Sequence, residues 1–241
     1  MNKSNLFNVS VLSLAISALF SPPVVAVTSS DIEKISVSGV RQAFRGDVPM
    51  NQQPQSIEFI SANSLEYAGV TELNDIFDLT PSITEQNDFG GLWESFAIRG
   101  LVGDENIPSG FLINGYSSGR SFSGIRDASN IDYVEVMKGP GSALYGRSEP
   151  GGTINIMTKK PQFEEQGYVK VTAGSWQNYR AEGDYTNALS EQIAFRVNGA
   201  VEDSESFRDY HEAQKTVVTP SILWLISEHT KLNYELEYVD Q

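Results

Sequence analysis

The sequence predicts a small α+β domain, with a mixed β-sheet and short helices, followed by the first antiparallel strands of an incomplete transmembrane β-barrel. Three observations predict it. The chain opens with a secretory leader, no later stretch is apolar enough for a spanning helix, and residues 162–241 alternate apolar and polar side chains strand by strand.

Lys3 supplies a minimal positive region, and Leu6 to Phe20 is a short apolar run broken by Ser21-Pro22-Pro23. Val24-Val25-Ala26 then offers small or β-branched residues at the positions a signal peptidase reads, so residues 1–26 are expected to be a cleaved signal peptide. Nothing after Ala26 approaches the roughly 18 apolar residues of a spanning helix. Membrane residence must therefore come through a closed barrel, because lipid offers no partner to unpaired backbone groups. Cysteine is absent, which excludes disulfides and thiolate metal sites, and His211 and His229 have no ligand-like spacing. No cofactor is implied. A formal charge of −14 argues against nucleic acid as a partner, since phosphate recognition needs a basic face.

Residues 27–51 have few apolar positions and no helical period, and read as an extended arm. Within it, Asp31 to Ser38 alternates Ile35 and Val37 against Ser36 and Ser38. Such a segment can add a strand to another protein's sheet edge, or can be a tail left by leader cleavage.

Residues 52–161 carry the α+β domain. Ser56 to Ile60 is strand-like. Thr71 is placed to cap a short helix whose Leu73, Ile76 and Phe77 share a face, ended by Pro81. Phe96 to Arg99, Gly110 to Ile113, Tyr133 to Met137 and Thr153 to Thr158 are β-prone runs between Gly, Asn, Ser and Pro. Beyond Pro161, Tyr179 to Thr186, Ile193 to Glu202 and Lys231 to Tyr238 alternate cleanly. With Tyr168 to Ala173 and Thr216 to Ile226 they make about five strands at hairpin spacing. The alternation is that of a barrel with lipid outside and a polar lumen; soluble sandwiches show it too, so alone it favours the barrel only weakly. About five strands cannot close a barrel.

Two enzyme-like patterns fail on context. Gly141 to Ser148 nearly spells a phosphate loop, but Arg147 stands where lysine is needed and Pro150-Gly151-Gly152 leads into a strand rather than a helix. Gly115-Tyr116-Ser117-Ser118-Gly119 matches a nucleophile elbow, but Arg120 to Gly124 is a polar loop where the elbow requires a helix. An enzyme is not expected.

Ile131 to Pro161, reading IDYVEVMKGPGSALYGRSEPGGTINIMTKKP, resembles the plug-domain signature of TonB-dependent receptors, and Glu149-Pro150-Gly151-Gly152-Thr153 resembles their ferric-siderophore branch. Ala97-Ile98-Arg99-Gly100 and Leu112-Ile113-Asn114-Gly115 fall where that family carries its "IRG" and "NG" elements. The resemblance implies a receptor of the Gram-negative outer membrane, set in its lipid, that takes up a ferric siderophore and is energised by TonB with ExbB and ExbD. Haem or cobalamin are the alternative ligands, and a chain ending at Gln241 would be a plug fragment unable to transport. It implies that Ile32, Glu33, Lys34, Ile35, Ser36, Val37 and Ser38 are the TonB box, the strand-adding segment of the arm. It implies a plug scaffold of Arg99, Gly100, Glu135, Lys138, Gly139, Pro140, Gly146, Arg147, Pro150, Gly151 and Gly152. Of these, Arg99, Glu135, Lys138 and Arg147 are expected in a charge network against the barrel wall. Trp93, Tyr116 and Phe122 are expected to pack on an organic chelator, and Arg120 and Arg126 to pair with its anionic oxygens. The siderophore fills the iron's coordination sphere, so no protein ligand to iron is implied.

Overall fold

The computed structural model describes residues 56–86, 94–102, 111–118, 125–141, 149–205 and 212–241. Two sheets form the N-terminal part. The larger is mixed, in the order β1 (Ser56–Ser61), β7 (Ile131–Lys138), β8 (Gly152–Thr158), β5 (Phe111–Ile113) and β6 (Tyr116–Ser117). Its pairings are antiparallel except β5 with β8. The smaller sheet joins β2 (Ile83–Glu85), β3 (Phe96–Ile98) and β4 (Leu101–Val102).

Both family turn elements are two-residue hairpin loops. Arg99 and Gly100 (φ 54° and 76°) link β3 to β4, and Asn114 and Gly115 (φ 53° and 83°) link β5 to β6. Positive φ at both central residues is the type I′ turn, whose twist matches the flanking strands. Asn114 is held further by Thr158, and the Gly115 N–H donates to Asn155 Oδ1 at 2.9 Å. Ser117 therefore lies on a strand after the turn, not at the strained apex a nucleophile elbow requires. Likewise Glu149 to Gly151 run straight into β8, so no helix follows the phosphate-loop pattern.

Helix α1 (Ala62–Ala68) starts at Ser61, whose hydroxyl accepts the Ser64 N–H, and stops at Gly69 in the left-handed conformation. It has no counterpart in the sequence expectations, because Leu65 alone is buried and one apolar anchor makes no periodicity. Helix α2 (Leu73–Asp78) buries Leu73, Ile76 and Phe77 as expected. Its cap is Glu72 rather than Thr71: Asp75 Oδ2 accepts the N–H groups of both residues, at 2.8 and 3.0 Å, drawing Glu72 into a capping box. The buried face of α2 meets Phe96, Phe111, Val134, Val136, Ile154 and Ile156 in one core. Phe77, Phe96 and Phe111 stack in tilted pairs 5.0 and 6.1 Å apart.

Every residue of β8 is buried, and the two glycines at its entrance are there for space. A Cβ on Gly151 would overlap the Ile98 carbonyl, and one on Gly152 the Met137 carbonyl. Neither obstacle is a flexible side-chain tip. Gly151→Ala is therefore expected to destabilise this domain by about 1–3 kcal/mol or more, seen as faster trypsin cleavage within residues 131–160 in outer-membrane fractions.

The C-terminal part is one antiparallel wall in the order β9 (Gln166–Ala173), β10 (Tyr179–Ser190), β11 (Ile193–Glu205), β12 (Glu212–Ser227), then β13 (Thr230–Glu235) with β14 (Tyr238–Asp240). Ser221 pairs with Glu235 and Val218 with Tyr238, three residues back on one strand for three forward on the other. So β13 and β14 are one strand in continuous register. The interruption has a cause: Leu236 N–H donates to the Pro220 carbonyl at 3.0 Å, and proline has no N–H for the return bond. Among the described residues the wall thus has five strands, as the alternation indicates.

Candidate functional site

The two faces of the wall differ as the alternation requires. Val169, Val171, Tyr185, Val197, Val218, Ile222, Trp224, Leu232, Tyr234 and Tyr238 form an exposed apolar face. Alternate positions carry Arg180, Asp184, Thr186, Arg196, Asn198, Lys215, Thr219 and Ser221, which are buried. Apolar side chains in the open and ions under cover invert the arrangement of a soluble sheet. The ions are covered because the α+β domain sits on them.

That seam is the site. Its deepest bond is between Asp127 and Arg180: the guanidinium reaches both carboxylate oxygens, at 2.7 and 2.9 Å, with both side chains 2 % exposed. Arg180 also holds Glu202 at 2.9 Å and Glu182 at 3.1 Å. One residue earlier, Arg126 pairs with Glu237 at 2.9 Å, and its backbone N–H donates to buried Glu94 at 2.6 Å. Asn198 donates to Asn130 at 2.8 Å. At the end of β8, Thr158 and Lys160 share Glu235, at 2.8 and 3.3 Å, and Arg196 donates to the Lys160 carbonyl at 2.9 Å. Lys215 pairs with Glu72.

The carboxylates of the seam titrate in opposite senses. Burial alone would raise Asp127, but the hydrogen bonds and charge of Arg180, with the bond from the Ser129 N–H, outweigh it and hold the carboxyl below its ordinary value. Burial raises Glu72, and Lys215 offsets it only in part. Burial also lowers the Lys159 ammonium despite Asp184 at 3.8 Å. For Asp127 the sign is that of a depressed carboxylate: its contribution to holding the domain is present above the ordinary carboxylate range and lost as pH falls through the lowered value. Seam stability in the complete protein is thus expected to have an acid limb below about pH 4. Asp127→Asn should flatten that limb in urea titrations across pH 2–6.

The expected site residues divide. Tyr116 is exposed on β6, and Arg126, expected to pair with chelate oxygens, is paired with Glu237. Trp93, Arg120 and Phe122 lie outside the described residues, as do Gly146, Arg147 and Ile32 to Ser38. The plug–wall bonds given above run through residues other than Arg99, Glu135 and Lys138. Lys138 pairs with Glu58 at 2.8 Å and Glu135 accepts from Asn155 at 2.9 Å, both partners within the larger sheet. Arg99 serves the hairpin turn, its guanidinium beside Gly139, itself at φ 101°. Sequence reading missed Glu72, Asp127, Asn130, Arg180 and Lys215. The signal it could have used is the lumen-facing register, which puts Arg180, Glu202 and Lys215 side by side on three strands.

A small α+β domain docked by polar bonds on the charged face of a wall whose other face is apolar defines a plugged outer-membrane barrel. Residues 49–153 match the family model "TonB-dependent Receptor Plug Domain". The chain is 38 % identical over 199 residues to the metal-pseudopaline receptor CntO of Pseudomonas aeruginosa, covering 82 % of this chain and 28 % of that protein. It is 31 % identical over 194 residues to the ferrioxamine receptor of Yersinia enterocolitica, covering 79 % and 27 %. The crystal structure of the ferripyoverdine receptor of the outer membrane of Pseudomonas aeruginosa superposes with a TM-score of 0.71 at 29 % identity, over 82 % of this chain and 26 % of that one. The chain belongs to the TonB-dependent receptors, and spans about a quarter of the length of these relatives.

Proposed function

We propose that this plug and wall serve an outer-membrane receptor that takes up a metal chelate of the ferric-siderophore type, energised by TonB through Ile32–Ser38. The observation that carries the reading is the seam. The plug is attached by ion pairs and hydrogen bonds rather than by a shared apolar core, so it can be displaced without unfolding the wall. Residues 1–26 direct export and are removed. Residues 27–51 are the periplasmic arm, residues 52–161 the plug and residues 162–241 the first strands of the barrel. Tyr116, with Trp93, Arg120 and Phe122, faces the chelate, and Arg99, Glu135, Lys138 and Arg147 hold the plug scaffold in register. Relatives named for ferrioxamine and ferripyoverdine support an iron chelate, and the receptor named for metal-pseudopaline brings in chelates of other metals. Calorimetric titration of the complete receptor with ferrioxamine, ferripyoverdine, a pseudopaline chelate, haem and cobalamin tests this. Binding of one of the three metal chelates is expected; tight binding of cobalamin or haem instead would overturn it.

A further inference from the structure

Lys215 occupies an unusual position in the seam. It projects from β12 with its side chain 8 % exposed, and its ammonium meets two different plug segments at once. One contact is the carboxylate of Glu72, the N-cap of α2. The other is the carbonyl of Ile125, 3.4 Å away, at the start of the segment that carries Arg126 and Asp127. These two segments are themselves joined. Glu72 and Asp127 form an isolated antiparallel bridge, the Leu73 N–H donates to the Arg126 carbonyl at 2.9 Å, and the Ala128 N–H donates to the Thr71 carbonyl at 2.9 Å. One wall cation therefore grips both edges of a minimal two-stranded ribbon.

The neighbouring residues add to this grip. Ile125, Arg126 and Asp127 contact Lys215 on β12, Glu237 between β13 and β14, and Arg180 on β10. Three consecutive plug residues thus engage three wall strands. Of the wall groups, Lys215 alone also binds α2 among the described contacts.

We propose that Lys215 is a positioning residue that couples the 125–128 segment to helix α2, so that the two shift on the wall as one unit. The inference rests on the receptor reading: in sequence Ile125 follows Arg120 and Phe122, assigned to the chelate, and α2 stands nearer than the 125–128 segment to the arm assigned to TonB. A chelate that draws on the end of that loop then also draws on α2, through the ribbon and its shared cation. An ammonium does this where a hydroxyl would not, because it donates to a carboxylate and a carbonyl together.

Hydrogen exchange in the complete receptor in detergent tests the coupling. Lys215→Met keeps the apolar stem and removes the charge, whereas Lys215→Arg keeps the charge. Lys215→Met is expected to speed exchange about tenfold at the ribbon amides, Leu73 and Ala128, in peptides spanning 70–80 and 125–131. Exchange across β8 should not change, and Lys215→Arg should restore both peptides. If Lys215→Met fails to insert, Glu72→Gln breaks the same pair and should speed the same two peptides. Acceleration of one peptide alone, of neither, or of β8 as well overturns the proposal. A receptor that shows the paired acceleration yet binds none of the metal chelates overturns the receptor reading and leaves the coupling standing.

Discussion

Arg180→Ala in the complete receptor is expected to cost about 3–5 kcal/mol and to loosen the plug from the wall, because it strands charge where water cannot reach it. Asp127 would keep a buried carboxylate with only Ser129 as a remaining bond, and Glu202 and Glu182 would lose their shared cation. The asymmetry between breaking and replacing the pair decides the size of the effect. Forming a buried ion pair returns little over its desolvation cost, but removing one partner leaves the whole penalty on the other. A double replacement, Asp127→Leu with Arg180→Met, should therefore lie closer to wild type than Arg180→Ala alone. Urea unfolding, together with entry of a large antibiotic normally excluded by the outer membrane, measures both arms. A cost below about 1 kcal/mol for Arg180→Ala would place this pair among exposed, solvent-screened ones and remove it as the plug's anchor.

Ile35→Pro is expected to abolish uptake while leaving chelate binding within about twofold of wild type. A strand added to a partner's sheet edge bonds through its backbone, and proline both deletes one donor and fixes φ. The seam lies elsewhere in the chain and is untouched. The measurement is paired: accumulation of radiolabelled iron chelate by energised cells, and equilibrium binding to the purified receptor. Loss of binding together with uptake would mean that the arm supports the ligand site directly, and normal uptake would mean that TonB engages another segment.

Much of the fold was legible before any coordinates. Strict alternation from Tyr179 to Thr186 and from Ile193 to Glu202 specifies two faces, since a strand sends successive side chains to opposite sides, and the wall obeys it residue by residue. The hairpin turns at Arg99-Gly100 and Asn114-Gly115 are local demands that suit local residue types, whereas the close approaches behind Gly151 and Gly152 are to Ile98 and Met137, distant in sequence. Helix α1 was silent for an equally local reason, its single buried leucine.

Only the tertiary structure decided what the charges are for. Arg180 and Asp127 lie 53 residues apart and Lys215 and Glu72 lie 143 apart, so no sequence spacing pairs them. The expected wall partners Lys138 and Glu135 instead meet Glu58 and Asn155 on the strands either side of β7, β1 and β8, which lie beside them only once the sheet has formed. The register of a strand fixes which face a side chain takes, but what covers that face depends on how two sheets dock. Docking is set by the mutual fit of surfaces distant in sequence. It leaves no period and no motif in the chain.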